Sequence, residues 1–321
     1  MPLSESALIE RFFRSLGVQR TDVPLGIGDD AAVLECPRDA QLVATTDTLV
    51  AGVHFPPATP PAAIGHRALA VNLSDLAAMG ARPAWALLAL TLPEADAGWL
   101  AEFAAGLAAL ARAHNVALVG GDTTRGPLCV TLQLLGFVPR GTALTRAGGR
   151  AGDLLYVSGM PGDAGAGLAL LQGRLTAPPA AAAYLRERFL APSPRVALGE
   201  QLRGYASACI DVSDGLLGDA GKLAQASGTA LTLEFAALPV SEPLEQALGA
   251  EAARKLALSA GDDYELCFSV RPERSAQLVR ELPPERWNYH RIGALRAGAG
   301  VEVTRDGTVM EFSHSGYQHF A

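Results

Sequence analysis

The chain has only four cysteines, Cys36, Cys129, Cys209 and Cys267, far apart and with no C-x-x-C pair. That leaves no sequence signal for a disulfide framework, and the thiols read as reduced core residues of a cytosolic protein. Positive charge is also scarce. Lys and Arg number 26 against 33 Asp and Glu, giving a formal net charge of −7 and a pI near 5.4. This argues against a general nucleic-acid or anionic-membrane surface, and an anionic substrate would need metal ions to offset repulsion. Long hydrophobic runs are missing: those such as residues 84–92 are of strand length, too short to span a bilayer. The start, MPLSESALIERFF, carries acids early and lacks the basic start and apolar core of a signal peptide. A soluble cytoplasmic protein is expected. The chain contains no G-x-x-x-x-G-K-[ST] and no kinase-type H-R-D or D-F-G set, so a nucleotide would have to be held through metals rather than in a P-loop.

What is present is an apolar chain, 49% hydrophobic and 18% charged over 321 residues. At about 150 residues per domain, two domains are expected. The glycines Gly148, Gly149 and Gly152 in LTRAGGRAGD mark the boundary, giving domains 1–147 and 148–321. Apolar periodicity predicts a helix over residues 4–16, strands near 31–34 and 42–46, and a helix from Thr59 to Gly80. A buried strand over 84–92, a helix capped by Asp96 and a short strand 116–119 ending in GGDTTRG follow, then a strand 128–138. The second half opens with a strand at 154–158 and an Ala-rich helical region. A strand at 206–210 leads into a helix capped by Ser213, and a strand at 266–270 precedes a helix near 272–282. The fold class is α/β of the α+β type.

Acids and hydroxyls recur in separate segments: Asp29 and Asp30 after a Gly-x-Gly turn; Thr45, Thr46 and Asp47; Asp75; Asp122; and Asp211, Ser213 and Asp214. Each alone also fits a helix cap or a turn acid. NLSDLAAMG and DVSDGLLGD echo one another, as do GDDAAV and GDDYEL, which fits two halves that each present acids. Carboxylates gathered so closely repel unless bridged by cations. With no His or Cys in the clusters, the ions favoured are Mg²⁺ or Ca²⁺ rather than Zn²⁺. Several divalent ions are what a reaction between two phosphate compounds requires. The turns GIGDD and GGDTTRG, with Arg125 and Arg146, are candidate phosphate partners.

GIGDDAAV, TTDTLVAGVHF, NLSDLAAMGARP, GGDTTRG, DVSDGL and GDDYEL, in this order, resemble the thiamine-monophosphate kinase family. That family lies within the superfamily of aminoimidazole ribonucleotide synthetase and selenophosphate synthetase. The resemblance spans nearly the whole chain, and TTDTLVAGVHF with GGDTTRG is its most particular part. It implies ATP-dependent phosphorylation of thiamine monophosphate to thiamine diphosphate with Mg²⁺. It also implies an N-terminal mixed sheet with helices that pairs in a homodimer, and a C-terminal α/β domain closing the cleft. By position, Asp30, Thr45, Thr46, Asp47, Asp75, Asp122, Asp211 and Asp214 would hold metal. Gly121, Asp122, Arg146 and Ser213 would contact ATP, and His54, Asp262 and Tyr317 the thiamine substrate. Asp262 stands where the family often has Glu, and Tyr317 where it often has Trp. The attacking group would be a phosphate oxygen already ionised at neutral pH, so no side-chain nucleophile is expected. The alternatives are another ATP-using superfamily member with a different acceptor, a metal-dependent phosphohydrolase, or a non-catalytic metal-binding module. Selenophosphate synthetase is disfavoured because no Cys or Lys-paired nucleophile precedes GIGDD, and the hydrogenase maturation relative because the chain ends YQHFA without a terminal cysteine.

Overall fold

The computed structural model describes residues 4–312, which places Tyr317 outside the described residues. Contacts divide the chain into two compact units, residues 1–76 with 81–141, and residues 77–80 with 142–321. Among the described residues no helix is long and apolar enough to cross a membrane.

In the first unit, helix α1 (Glu5–Leu8) widens into a π-type turn over Ile9–Phe13. Of the apolar positions 8, 9, 12, 13 and 16 in the expected helix, Leu8 and Phe13 are buried within the observed one and Leu16 just beyond it, while Ile9 and Phe12 are half-buried. Strand β1 (Ala40–Val50) leads to helix α2 (Pro61–Ala78), strand β2 (Arg82–Leu92), helix α3 (Ala97–Ala113), strand β3 (Ala117–Arg125) and strand β4 (Cys129–Pro139). Asp96 caps α3 by accepting from the Trp99 amide at 2.7 Å. The sheet order is β1-β4-β2-β3, with β2 and β3 parallel through the α3 crossover and the other pairs antiparallel. Residues 31–34 do not form the expected strand. Among the described residues the run finds a partner only in an isolated Leu25–Val33 bridge, and Pro37, three residues on, has no amide with which to extend a ladder.

The second unit carries β5 (Leu154–Ser158), α4 (Asp163–Leu171), α5 (Pro179–Leu190), α6 (Val196–Leu202), β6 (Ala206–Val212), α7 (Leu216–Ala226) and β7 (Ala230–Glu234). It continues with α8 (Glu242–Leu248), α9 (Ala250–Ser259), β8 (Glu265–Val270), α10 (Pro272–Glu281), α11 (Pro284–Trp287), β9 (Tyr289–Arg296), β10 (Val301–Arg305) and β11 (Thr308–Met310). Its sheet runs β11-β10-β7-β9-β5-β8-β6, mostly antiparallel with β10 parallel to β7. β8, one strand in from the β6 edge, is buried at every position, its Glu265 and Ser269 included. A core of Leu155, Ile210, Leu223, Leu233, Cys267 and Ile292 fixes the sheet against α7. Of the cysteines, Cys209 and Cys267 are buried as expected, Cys129 is half-buried and Cys36 is exposed.

Candidate active site

In the first unit, a cavity of about 1030 Å³ lies between the N-terminal segment and the sheet. Asp29, Asp30, Thr46, Gly121 and Asp122 all line it. Asp29 accepts the Asp30 amide at 2.8 Å and Asp122 the Thr123 amide at 2.9 Å, so each carboxylate is held by local backbone. GGDTTRG is not the turn expected after a short strand but the second half of β3. Parallel pairing with Leu87–Leu92 carries the strand through both glycines, past an irregularity between Ala86 and Leu87. Gly121 makes this pairing feasible. Its φ is +150°, and a Cβ there would lie 1.8 Å from the Leu88 carbonyl oxygen. Asp122 is thereby exposed along the strand instead of at its tip.

Thr45, Thr46 and Asp47 sit within β1, well before its end at Val50. The period of two in a strand divides them, with Thr45 and Asp47 half-buried on one face and Thr46 exposed on the cavity face. On the first of these faces the Thr45 hydroxyl donates to Asp75 Oδ2 at 2.5 Å. Asp75 is inside α2, so NLSD is mid-helix whereas DVSD precedes a helix, and the two echoes occupy different structural settings. His54 lies in the turn after β1, where its Nδ1 accepts the Val50 amide at 2.9 Å. The neutral ring therefore carries its proton on Nε2.

In the second unit, Asp211 is buried at the end of β6, opposite Leu266. Ser213 does not cap α7, whose N-cap is Gly215 with no side-chain bond. An acid inside the helix instead reaches back to the preceding loop: Asp219 Oδ2 takes the amides of Ser213 at 3.0 Å and Asp214 at 2.9 Å. Lys222 then bonds Asp214 Oδ2 at 2.6 Å and Asp219 Oδ1 at 2.8 Å. Burial works against the Lys222 charge, but the two carboxylates outweigh it and hold the ammonium above the ordinary lysine value. The DVSDG turn is stitched to GDDYEL by Asp262 N to Ser213 O at 2.9 Å and Tyr264 N to Val212 O at 2.8 Å. Asp262 is half-buried there. Arg146 is exposed on the connector, its carbonyl accepting from the Ser227 hydroxyl at 2.9 Å. The connector is pinned to β6 by Cys209 N to Thr145 O at 2.9 Å.

Under GDDYEL lies a buried charge network that sequence reasoning missed. Glu265, 0% exposed, accepts from Arg195 Nε and Nη2 at 2.6 Å each, from Arg188 at 2.9 Å and from the Ser158 hydroxyl at 2.5 Å. Asp263 accepts the Gly162 and Ala164 amides at the start of α4, at 2.8 and 3.3 Å. Burial pushes its carboxyl well above the usual carboxylate range. Asp163, raised likewise by burial, accepts from Ser241 at 2.6 Å and Tyr184 at 2.9 Å. Asp219 had one legible sign, an acid on the apolar stripe of α7 between Leu216, Ala220 and Leu223. The arginine partners had none, because they lie 70 and 77 residues from Glu265 in sequence.

The donors fit Mg²⁺ in kind, being carboxylate and hydroxyl oxygens throughout. Among the described residues no three acids or imidazoles converge into a metal-holding group.

The N-terminal domain family of AIR synthase related proteins matches residues 28–138, and the C-terminal domain family matches residues 150–306. The two matches, on a chain of two compact units, define an AIR synthase related protein with both domains. Over its full length the chain is 48% identical to the thiamine-monophosphate kinase of Escherichia coli (strain K12), covering 99% of that protein. The crystal structure of thiamine-monophosphate kinase from Stenotrophomonas maltophilia K279a is 48% identical with a TM-score of 0.87, over 97% of this chain and 99% of that one. AaThiL complexed with AMPPCP and TMP is 34% identical with a TM-score of 0.78, over 92% of each chain. The chain belongs to the thiamine-monophosphate kinase family.

Proposed function

We propose that this chain transfers the γ-phosphoryl group of ATP to thiamine monophosphate, giving thiamine diphosphate and ADP. The observation that carries this reading is the full-length 48% identity to a thiamine-monophosphate kinase. AaThiL, which shares the fold at 34% identity, is complexed with AMPPCP and TMP. In the reaction, a terminal phosphate oxygen of thiamine monophosphate forms a bond to Pγ as the bond from Pγ to the ADP oxygen breaks. That oxygen is already ionised at neutral pH, so the protein needs to position and to screen charge rather than to supply a base.

Asp30, Thr45, Thr46, Asp47, Asp75, Asp122, Asp211 and Asp214 are the residues that would hold Mg²⁺. When bound, Mg²⁺ neutralises charge on the phosphates and keeps attacking and leaving oxygens in line. Gly121, Asp122, Arg146 and Ser213 make the ATP contacts in this reading. Gly121 allows close backbone approach, and exposed Arg146 supplies a guanidinium fork suited to phosphate. His54, Asp262 and Tyr317 are the residues that would contact the thiamine substrate, whose cationic thiazolium suits an acid and an aromatic ring. Residues 1–147 carry the dimer contacts and most of the metal and ATP contacts, and residues 148–321 contribute Asp211, Ser213, Asp214, Asp262 and Tyr317. The working protein is a cytoplasmic homodimer. Support for the dimer comes from β1, an 11-residue edge strand with Leu42 49% exposed, a free pairing edge of the kind that soluble proteins cover.

The test is to incubate purified protein with ATP and thiamine monophosphate, with and without Mg²⁺, and to separate the thiamine compounds by chromatography. Thiamine diphosphate should form in step with ADP and only with metal. ADP without a new thiamine compound would point to another acceptor or to hydrolysis, and no ADP at all to a non-catalytic module.

A further inference from the structure

Two residues after Gly261 adopt left-handed backbone, Asp262 at φ +67° and Tyr264 at φ +51°. For side chains of this size such a conformation is strained and persists only where the surroundings over-determine it. Here they do so from three sides. The amides of both residues are bonded to the DVSDG turn, and a Cβ on Gly261 would fall 2.3 Å from the Ser213 carbonyl oxygen. Between the pair, buried Asp263 is fastened to two amides at the start of α4. Directly after it, Glu265 is locked by Arg195, Arg188 and Ser158. None of these buried groups can reach a substrate in solvent. What they fix is the direction of the half-buried Asp262, whose Oδ1 accepts the hydroxyl of buried Tyr264 at 3.3 Å.

We propose that Tyr264 is a positioning residue for the thiamine-side substrate, its hydroxyl aiming the Asp262 carboxylate from a backbone that the Asp263 and Glu265 anchors hold in a strained form. The inference rests on the reading that Asp262 contacts the substrate. An aspartate has two side-chain torsions, and losing the hydroxyl widens the range that its carboxylate samples. Substrate must then select the productive one. Selection of a partly populated state weakens apparent binding by the fraction lost, without changing the step that follows it.

Tyr264→Phe keeps the buried ring and removes the hydroxyl. It should raise the KM for thiamine monophosphate about threefold, the low end for a hydrogen bond, since 3.3 Å is long for a hydroxyl donor. Both kcat and the KM for ATP should stay within about twofold, since the bond orients the acid and does not touch the transferring group. The decisive comparison is with Asp262→Ala and the double variant. Asp262→Ala should raise the same KM, and Tyr264→Phe should then add nothing. If Tyr264→Phe raises KM equally in both backgrounds, or in neither, the positioning role is overturned while the Asp262 contact stands. If Asp262→Ala itself leaves KM for thiamine monophosphate unchanged, the contact reading fails and takes this inference with it, an outcome that the single variant separates from the former.

Discussion

Arg195→Ala tests whether the buried network beneath GDDYEL holds the second unit together. Glu265 is 0% exposed, and its carboxylate is satisfied by four hydrogen bonds, two of them from Arg195 at 2.6 Å. Truncation removes the bidentate partner and leaves the charge with Arg188 and Ser158 alone. Breaking a buried pair by removing one partner costs about 3–5 kcal/mol, and the surviving arginine places this case near the lower end. At about 3 kcal/mol, a unit of this size should lose roughly 6–12 °C in melting midpoint. Calorimetry reads the shift, and hydrogen exchange on β8 amides should show the same loss of protection locally. The same substitution in a Glu265→Leu background should cost far less, because no buried anion is then left behind. A shift under about 2 °C, or an equal shift in both backgrounds, would refute the argument that the paired charge rather than packing is responsible.

Asp75→Asn keeps an acceptor for the Thr45 hydroxyl but removes a charge. Turnover should fall by more than about a hundredfold with the melting midpoint within about 2 °C, and retained activity would remove Asp75 from the metal set. Gly121→Ala drives a Cβ to 1.8 Å from Leu88 O, whereas at Gly120 the nearest atom is the Leu87 side chain at 3.0 Å. The first should destabilise by about 1–3 kcal/mol or more in urea unfolding and the second by clearly less; equal effects would contradict the backbone clash. For Asp263, burial raises the folded carboxyl well above 3.8. The stability it contributes is therefore complete below its unfolded value and is lost as pH rises through the folded one. Melting midpoint of the wild type minus that of Asp263→Asn should fall as pH rises above about 4, and a constant difference up to neutral pH would mean the group does not titrate as argued.

Periodicity placed most elements where the structure has them, as with α2 from Pro61, β2, the Asp96 cap and β5, because each buries a local stripe or run that its own residues declare. It failed where a distant partner decides. Residues 31–34 are a strand-like apolar run but have only an isolated bridge to pair with. GGDTT looks like a turn, yet β2 lies alongside and converts it to strand. Ser213 has the chemistry of a cap, but Gly215 holds the N-cap position and Asp219, reaching back from α7, takes the Ser213 amide.

The sequence by itself determined the chemistry on offer: oxygen donors without His or Cys in the acidic clusters, no P-loop, an acidic surface, and six ordered motifs that mark the kinase family. These are properties of residue type and order, which survive without coordinates. Only the tertiary structure decided which donors share a face. Strand alternation sends Thr46 to the cavity and Thr45 to Asp75, although the two are neighbours in the chain. It also decided that Asp263 and Glu265 are buried anchors while Asp262 stays half-buried between them and solvent. Burial and pairing are set by what packs from 70 or 100 residues away, as Arg195 on Glu265 and Gly162 on Asp263 show, and no local pattern encodes a partner at that distance.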